Sequence, residues 1–150
     1  MIEYKLVQER DLDLIVSETY KTEIGITYFE GKDLKKIMSK AIEMKELHGA
    51  YSHGLLEGYI WCETYGTFNK YPYIHMIIVF EAYRNNGIGR ELLTHLEREL
   101  KGRFDKVFIM VGNFNERVYR LYLKNGYNPI GVLRDFYREG IAERLLEKHL

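Results

Sequence analysis

Residues 73–101 read YIHMIIVFEAYRNNGIGRELLTHLERELK, and this stretch decides the fold. Its first eight residues, Tyr73 to Phe80, form a mostly apolar run rich in isoleucine, the pattern of a central strand buried on both faces. Arg84-Asn85-Asn86-Gly87-Ile88-Gly89 follows as a glycine loop. From Gly87 onward, Ile88, Leu92, Leu93, Leu96 and Leu100 recur on one face of a helix. The unit is therefore strand, glycine loop, helix. A helix start presents unpaired N–H groups and about half a positive charge. Glycines let a backbone close around an anion with no Cβ in the way. Together they predict a phosphate or pyrophosphate site, with Arg84 and Arg90 placed to add charge-assisted bonds. Taken alone, the same residues also suit a plain tight turn. The standard nucleotide loops do not fit: Gly89-Arg90-Glu91 stands where a P-loop ends in Gly-Lys-Ser/Thr, and Leu92 stands where a dinucleotide fingerprint has its third glycine.

Upstream, Ile2 to Val7 alternates apolar and charged residues and reads as a half-buried strand. Asp11 reads as the N-cap of a helix carrying Leu12, Leu14 and Ile15. Gly25 interrupts the pattern, so Thr22 to Phe29 reads as a loop. Asp33 caps a second helix, with Leu34, Ile37, Met38, Ala41, Ile42 and Leu47 near one face and an end near Gly49. Ala50 to Leu56 and Tyr59 to Tyr65 read as strands joined by a Glu57-Gly58 turn. Downstream, Lys106 to Val111 is a buried strand. Asn115 starts a helix with Val118, Leu121 and Tyr122 on one side, ended by Asn125-Gly126. Two strands around Arg138 to Ile141 follow. The expected class is α/β, one domain over residues 1–150. Its mixed, mostly antiparallel sheet has about seven strands flanked by about four helices.

Composition bounds the function. The 150 residues are 46 % apolar and 29 % charged, with zero formal net charge, so no basic surface points to nucleic acid. The one cysteine, Cys62, rules out a disulfide within the chain and suits a reducing cytosol. The longest uncharged, mostly apolar run, Tyr71 to Phe80, is too short to span a bilayer as a helix. The start, Met1 to Asp13, has no apolar signal core. These features predict a soluble cytoplasmic protein with no membrane partner. The five histidines show no His-Glu-x-x-His spacing, so no metal site is expected.

Arg84-x-x-Gly87-x-Gly89 after an apolar strand resembles the acetyl-CoA loop of the GCN5-related N-acetyltransferase (GNAT) superfamily. Asn115-x-x-Val118-x-x-Leu121-Tyr122-x-Lys124-x-Gly126-Tyr127 resembles that family's second signature, Asn-x-x-Ala-x-x-Leu-Tyr-x-Lys-x-Gly-Phe. The order of the elements matches as well. The resemblance is sharp from about Tyr73 to Tyr127 and looser elsewhere. It implies acetyl-CoA as co-substrate and transfer of its acetyl group to a primary amine. The amides of Asn85 to Arg90 would hold the pyrophosphate. The pantetheine arm would pair with the strand backbone at Ile77 and Val79, whose amide would face the acetyl oxygen. Asn115 would hydrogen-bond the pantetheine.

The resemblance further implies that Tyr122 gives a proton to the departing thiolate. Relatives place a glutamate or histidine base on the central strand. Here Tyr73 and His75 share one face of it. His75 is the first base candidate, Tyr73 the second and Glu63 a distant third; His75 reads equally as a hydrogen-bonded core histidine. Val118 and Tyr127 replace the usual alanine and phenylalanine.

For the acceptor, Tyr28, Phe29, Phe136 and Tyr137 are the candidate groove residues. Glu23, Glu30, Asp135 and Glu139 would attract a cationic amine. The segment Arg134 to Gly140 resembles, more loosely, the closing hairpin of protein N-terminal acetyltransferases. A peptide α-amine is the first expected acceptor, and a polyamine or other small amine the second. The alternative is a non-catalytic acyl-CoA-binding or sensing module on the same fold. The sequence allows a monomer or a homodimer.

Overall fold

Hydrophobic alternation places seven strands in one mixed sheet, with helices supplied by the longer amphipathic segments. The computed structural model describes residues 1–150. Its strands are β1 (Ile2–Leu6), β2 (Leu47–Ser52), β3 (Leu55–Thr67), β4 (Tyr71–Val79), β5 (Lys106–Gly112), β6 (Asn128–Arg134) and β7 (Ala142–His149). Its helices are α1 (Leu12–Tyr20), α2 (Glu23–Phe29), α3 (Leu34–Glu43), α4 (Ile88–Leu100) and α5 (Glu116–Lys124). Strand order is β1-β2-β3-β4-β5-β7-β6. The β4–β5 pair is parallel, while β1–β2, β2–β3, β5–β7 and β6–β7 are antiparallel. The expected α/β class and strand count hold. The chain forms two compact units, Met1–Trp61 with Met76–Leu96, and Cys62–His75 with Glu97–Leu150.

In the first unit, helices α1 and α3 bury Ile15, Leu34 and Met38 with Tyr51, Tyr59 and Met76 of the strands. Polar atoms in this core are paired. The Thr19 and Tyr59 hydroxyls meet at 2.6 Å, and the Tyr51 hydroxyl donates to Asp11 Oδ2 at 2.8 Å. Asp11 does occupy the N-cap of α1, but its carboxylate is spent on Tyr51 and makes no cap bond.

Three sequence expectations fail in this unit. Thr22 to Phe29 is not a loop: Thr22 caps α2, its hydroxyl oxygen accepting from Gly25 N–H at 3.0 Å. Gly25 is there for close approach, since a Cβ on it would strike the Thr19 carbonyl. This added helix makes five rather than about four. The second expected helix stops at Glu43, because Lys45 turns left-handed at φ 59, so Leu47 already belongs to β2. The β2–β3 turn is His53-Gly54, with φ of 51 and 78, not Glu57-Gly58. Gly58 lies inside β3 opposite Ala50, where a Cβ would come 2.7 Å from Ile78 O and 3.1 Å from Val79 Cα.

In the second unit, β5 pairs along β7 from Lys106↔His149 to Gly112↔Glu143. Ile74, Val107, Ile109, Tyr122 and Leu146 are buried. Asn115 caps α5, its Oδ1 accepting from Val118 N–H at 3.4 Å. Gly126 at φ 90 ends that helix, and Tyr127 N–H returns to Tyr122 O at 3.0 Å. No helix of the chain is long and apolar enough to cross a membrane.

Candidate active site

In the first unit, a short 3-10 turn, Glu81–Tyr83, leads from β4 into the glycine loop. Arg84 folds back, its Nε donating to Val79 O at 3.1 Å. Arg84 therefore ties the loop to the end of its strand. Asn86 Nδ2 donates to the carbonyls of Tyr83 and Arg84, at 3.1 and 3.2 Å. Asn85 and Gly87 are left-handed, with φ of 67 and 77. A Cβ at Gly87 would touch nothing within 4 Å, so conformation rather than space calls for glycine there.

Bonding at the start of α4 begins with Glu91 N–H to Gly87 O, at 3.1 Å. The amides of Ile88, Gly89 and Arg90 precede that bond, and Gly87 has no side chain to cap them. Arg84 to Gly87 are exposed. An exposed loop leading into a helix start whose preceding residue is a glycine suits an anionic phosphate group. On β4, Ile77 is buried and Val79 half-buried. Tyr28 and Phe29 lie on α2. Phe29 packs on Trp61, ring centroids 6.5 Å apart, so it is engaged with the core as well as with the surface.

In the second unit, α5 carries Tyr122, which is fully buried, and its hydroxyl has no hydrogen-bond partner. Burial, with Cys62 and Glu97 adding to it, pushes the phenol well above its ordinary pKa. It therefore keeps its proton and has an O–H to donate. An unpartnered buried hydroxyl costs about 1–3 kcal/mol, so the position suits a ligand atom that takes a hydrogen bond or a proton. Asn115, at the start of the same helix, uses its side-chain oxygen on Val118 N–H, which leaves its NH₂ as the group for a ligand.

Tyr73 and His75 meet edge to face, ring centroids 4.8 Å apart. The Tyr73 and Tyr137 hydroxyls are 3.1 Å apart, and Phe136 packs edge to face on Tyr137 at 4.7 Å. The structure thus gathers two base candidates and two acceptor candidates into one cluster. It adds Glu63, whose Oε2 lies 3.6 Å from His75 Nε2. Burial lowers the His75 pKa from its ordinary value, and the Glu63 carboxylate opposes that. Burial raises the Tyr137 pKa; the Tyr73 bond acts the other way, and Glu143 and Glu63 add to the rise.

Sequence reasoning ranked Glu63 last among the bases, gave Gly66 no role and read Glu97 with Arg98 and Glu99 as a solvated helix face. A Cβ on Gly66 would strike Glu63 Oε2 and come 2.8 Å from Tyr73 Cβ. Glu97 accepts from the Tyr127 hydroxyl at 3.3 Å and from Lys148 Nζ at 2.6 Å. No spacing rule links residues 63 and 66 on a strand, or 97 and 148 across two elements.

The model of the acetyltransferase (GNAT) family matches residues 19–127. The chain belongs to that family. It is similar to N-alpha-acetyltransferase RimI of Mycobacterium tuberculosis, 35 % identical over 96 residues that take in 63 % of this chain and 60 % of that protein. The match therefore spans less than two thirds of that relative's length. Among solved structures it is similar to the PaiA N-acetyltransferase from Thermoplasma acidophilum in complex with coenzyme A, with TM-score 0.80, 20 % identity and coverage of 100 % and 99 % of the two chains. It is also similar to Arabidopsis thaliana Naa50 in complex with the bisubstrate analogue CoA-Ac-MVNAL, with TM-score 0.76, 20 % identity and 99 % coverage of both chains. At these identities the structural likeness concerns the fold.

Proposed function

We propose that this chain is an N-acetyltransferase, a single domain over residues 1–150, that moves an acetyl group from acetyl-CoA to a primary amine by direct attack. The observation that carries the reading is the Tyr122 hydroxyl: buried, protonated, without a partner, and on the second family signature. Acetyl-CoA supplies an activated thioester. The amides of Asn85 to Arg90 hold its pyrophosphate, with Arg84 keeping the loop in place. The backbones of Ile77 and Val79 and the Asn115 amide hold the pantetheine arm. The Val79 amide donates to the acetyl oxygen where negative charge develops. Tyr122 holds a proton at Oη for the sulfur that leaves, and His75 takes the proton the amine sheds.

The acceptor is a peptide or protein α-amine, with a polyamine or other small amine as the second choice. The relatives named as N-alpha-acetyltransferases support the first. Phe136 and Tyr137 flank the acceptor, with Tyr28 and Phe29 as further groove residues. The protein acts in the cytoplasm, in keeping with Cys62 as a buried cysteine outside any disulfide.

Calorimetry with acetyl-CoA, followed by a free-thiol assay over N-terminal peptides, polyamines and aminoglycosides, tests this. Binding followed by thiol release above hydrolysis with a peptide is the expected result. Binding with no release for any amine would favour a sensing module instead, and no binding at millimolar ligand would end the reading.

A further inference from the structure

The second unit holds a carboxylate beside the base candidate, and the chain keeps space for it. Glu63 Oε2 stands 3.6 Å from His75 Nε2. The Glu63 carboxylate lies over Gly66, in the place where any side chain at 66 would begin. Tyr73 closes on the imidazole edge to face at 4.8 Å, and its hydroxyl meets that of Tyr137. The imidazole is thus held by an aromatic ring and faced by an anion, the arrangement that orients a histidine base and favours one tautomer.

We infer that Glu63 is a positioning residue for His75, that the two work as a carboxylate–imidazole dyad, and that Gly66 is the seat that makes the dyad possible. The inference rests on the acyl-transfer reading of the same site and names how its base is held. Glu63 lies 3.6 Å from Nε2, just beyond hydrogen-bond length, and its charge favours the tautomer with the proton at Nε2, which puts the basic lone pair on Nδ1. As the amine nitrogen bonds to the acyl carbon, its proton passes to Nδ1. The C–S bond breaks with its electron pair leaving on sulfur, which takes the Tyr122 proton. The Glu63 carboxylate steadies the imidazolium, as a third group does behind other histidine bases.

Burial disfavours the imidazolium and Glu63 favours it. Beside the ring stand Glu63 from β3 and Tyr73 from β4; Tyr137, from the β6–β7 connection, meets the Tyr73 hydroxyl, with Glu143 from β7 acting on Tyr137. Glu63 is the anion closest to the imidazole in this set, so its removal is the informative change.

The experiment follows the His75 imidazole by NMR titration in folded protein, wild type against Glu63→Gln and Gly66→Ala, with pH profiles of kcat/KM alongside. In Glu63→Gln the His75 titration and the acid limb of the profile should both move to lower pH. The plateau should fall about tenfold, part of the hundredfold or more that a positioned base supplies. Gly66→Ala keeps Glu63 but fills its seat, and should move the titration the same way. An unchanged His75 titration in folded Glu63→Gln overturns the dyad. If the wild type releases no thiol with any amine, the acyl-transfer reading fails on its own, while the titration still decides the pairing.

Discussion

The rings of Tyr122 and Tyr127 meet edge to face with centroids 5.0 Å apart, yet only the Tyr127 hydroxyl has a partner, Glu97. The two phenols sit in one apolar setting and differ in what their oxygens do. Tyr127 is anchored to the Glu97–Lys148 pair. Tyr122 spends desolvation energy on a hydroxyl that the fold does not use.

Replacing Tyr122 by Phe therefore separates function from stability. A structural tyrosine would lose a hydrogen bond and about 1 kcal/mol on this change. Here the denaturation midpoint should stay the same or rise, because the lost hydroxyl had no partner. Turnover should fall about a hundredfold or more, as for loss of a general acid, with acetyl-CoA affinity nearly kept. Urea unfolding, calorimetry and steady-state rates on one preparation check this. Full turnover in the variant would remove Tyr122 from the chemistry.

His75 should also leave a mark on stability against pH. Its folded pKa lies below the ordinary 6.5, mainly through burial. Between the folded value and 6.5 the unfolded chain binds more protons, so stability rises with pH across that window. The contribution is complete above 6.5 and is lost as pH falls through the folded value. Other groups titrate nearby, so the comparison is wild type against His75→Gln by urea unfolding from pH 5 to 8. The wild type should lose more stability than the variant below 6.5. Parallel curves would show that His75 is not desolvated as described.

Much of this was legible in the sequence because periodicity is a strong signal where burial is one-sided or complete. β4 and α4 came out nearly as read from Tyr73 to Leu100. The errors cluster at glycines. Gly25 reads as a breaker and Gly58 as a turn, but both are glycine because another backbone passes where a Cβ would be. A single sequence does not distinguish a glycine needed for its φ from one needed for its lack of volume. The same limit hid Gly66, whose meaning lies in Glu63 and Tyr73. The motif residues were legible as types and spacings. The groups they meet, Glu63 beside His75 and Glu97 for Tyr127, come from other elements, and no local pattern announces them.

Gly58→Ala tests the steric reading of that residue. The new methyl would press on Ile78 O and Val79 Cα, at 2.7 and 3.1 Å, and both are backbone atoms that cannot rotate away. Overpacking of this kind costs about 1–3 kcal/mol. Were Gly58 a turn residue chosen for its flexibility alone, alanine would cost less than about 1 kcal/mol. Chemical denaturation decides between the two. Because Val79 ends the strand that feeds the loop, acetyl-CoA affinity should fall in parallel.

Arg84 offers the sharpest test of how the loop is held. Its Nε bond to Val79 O, at 3.1 Å, joins the loop to the end of β4, while the guanidinium is otherwise exposed. Arg84→Met keeps most of the stem and removes this bond. A charged hydrogen bond at an exposed site is worth about 1 kcal/mol, so acetyl-CoA affinity should fall roughly fivefold with kcat little changed. Arg84→Lys is the informative partner. If Arg84 acts only as a cation near the pyrophosphate, lysine should restore most of the affinity. If its planar guanidinium fixes the loop through Val79, lysine cannot reproduce the geometry and should bind like methionine. Calorimetry at two salt concentrations separates the cases: the bond to a carbonyl is insensitive to salt, whereas attraction to a phosphate weakens as salt rises.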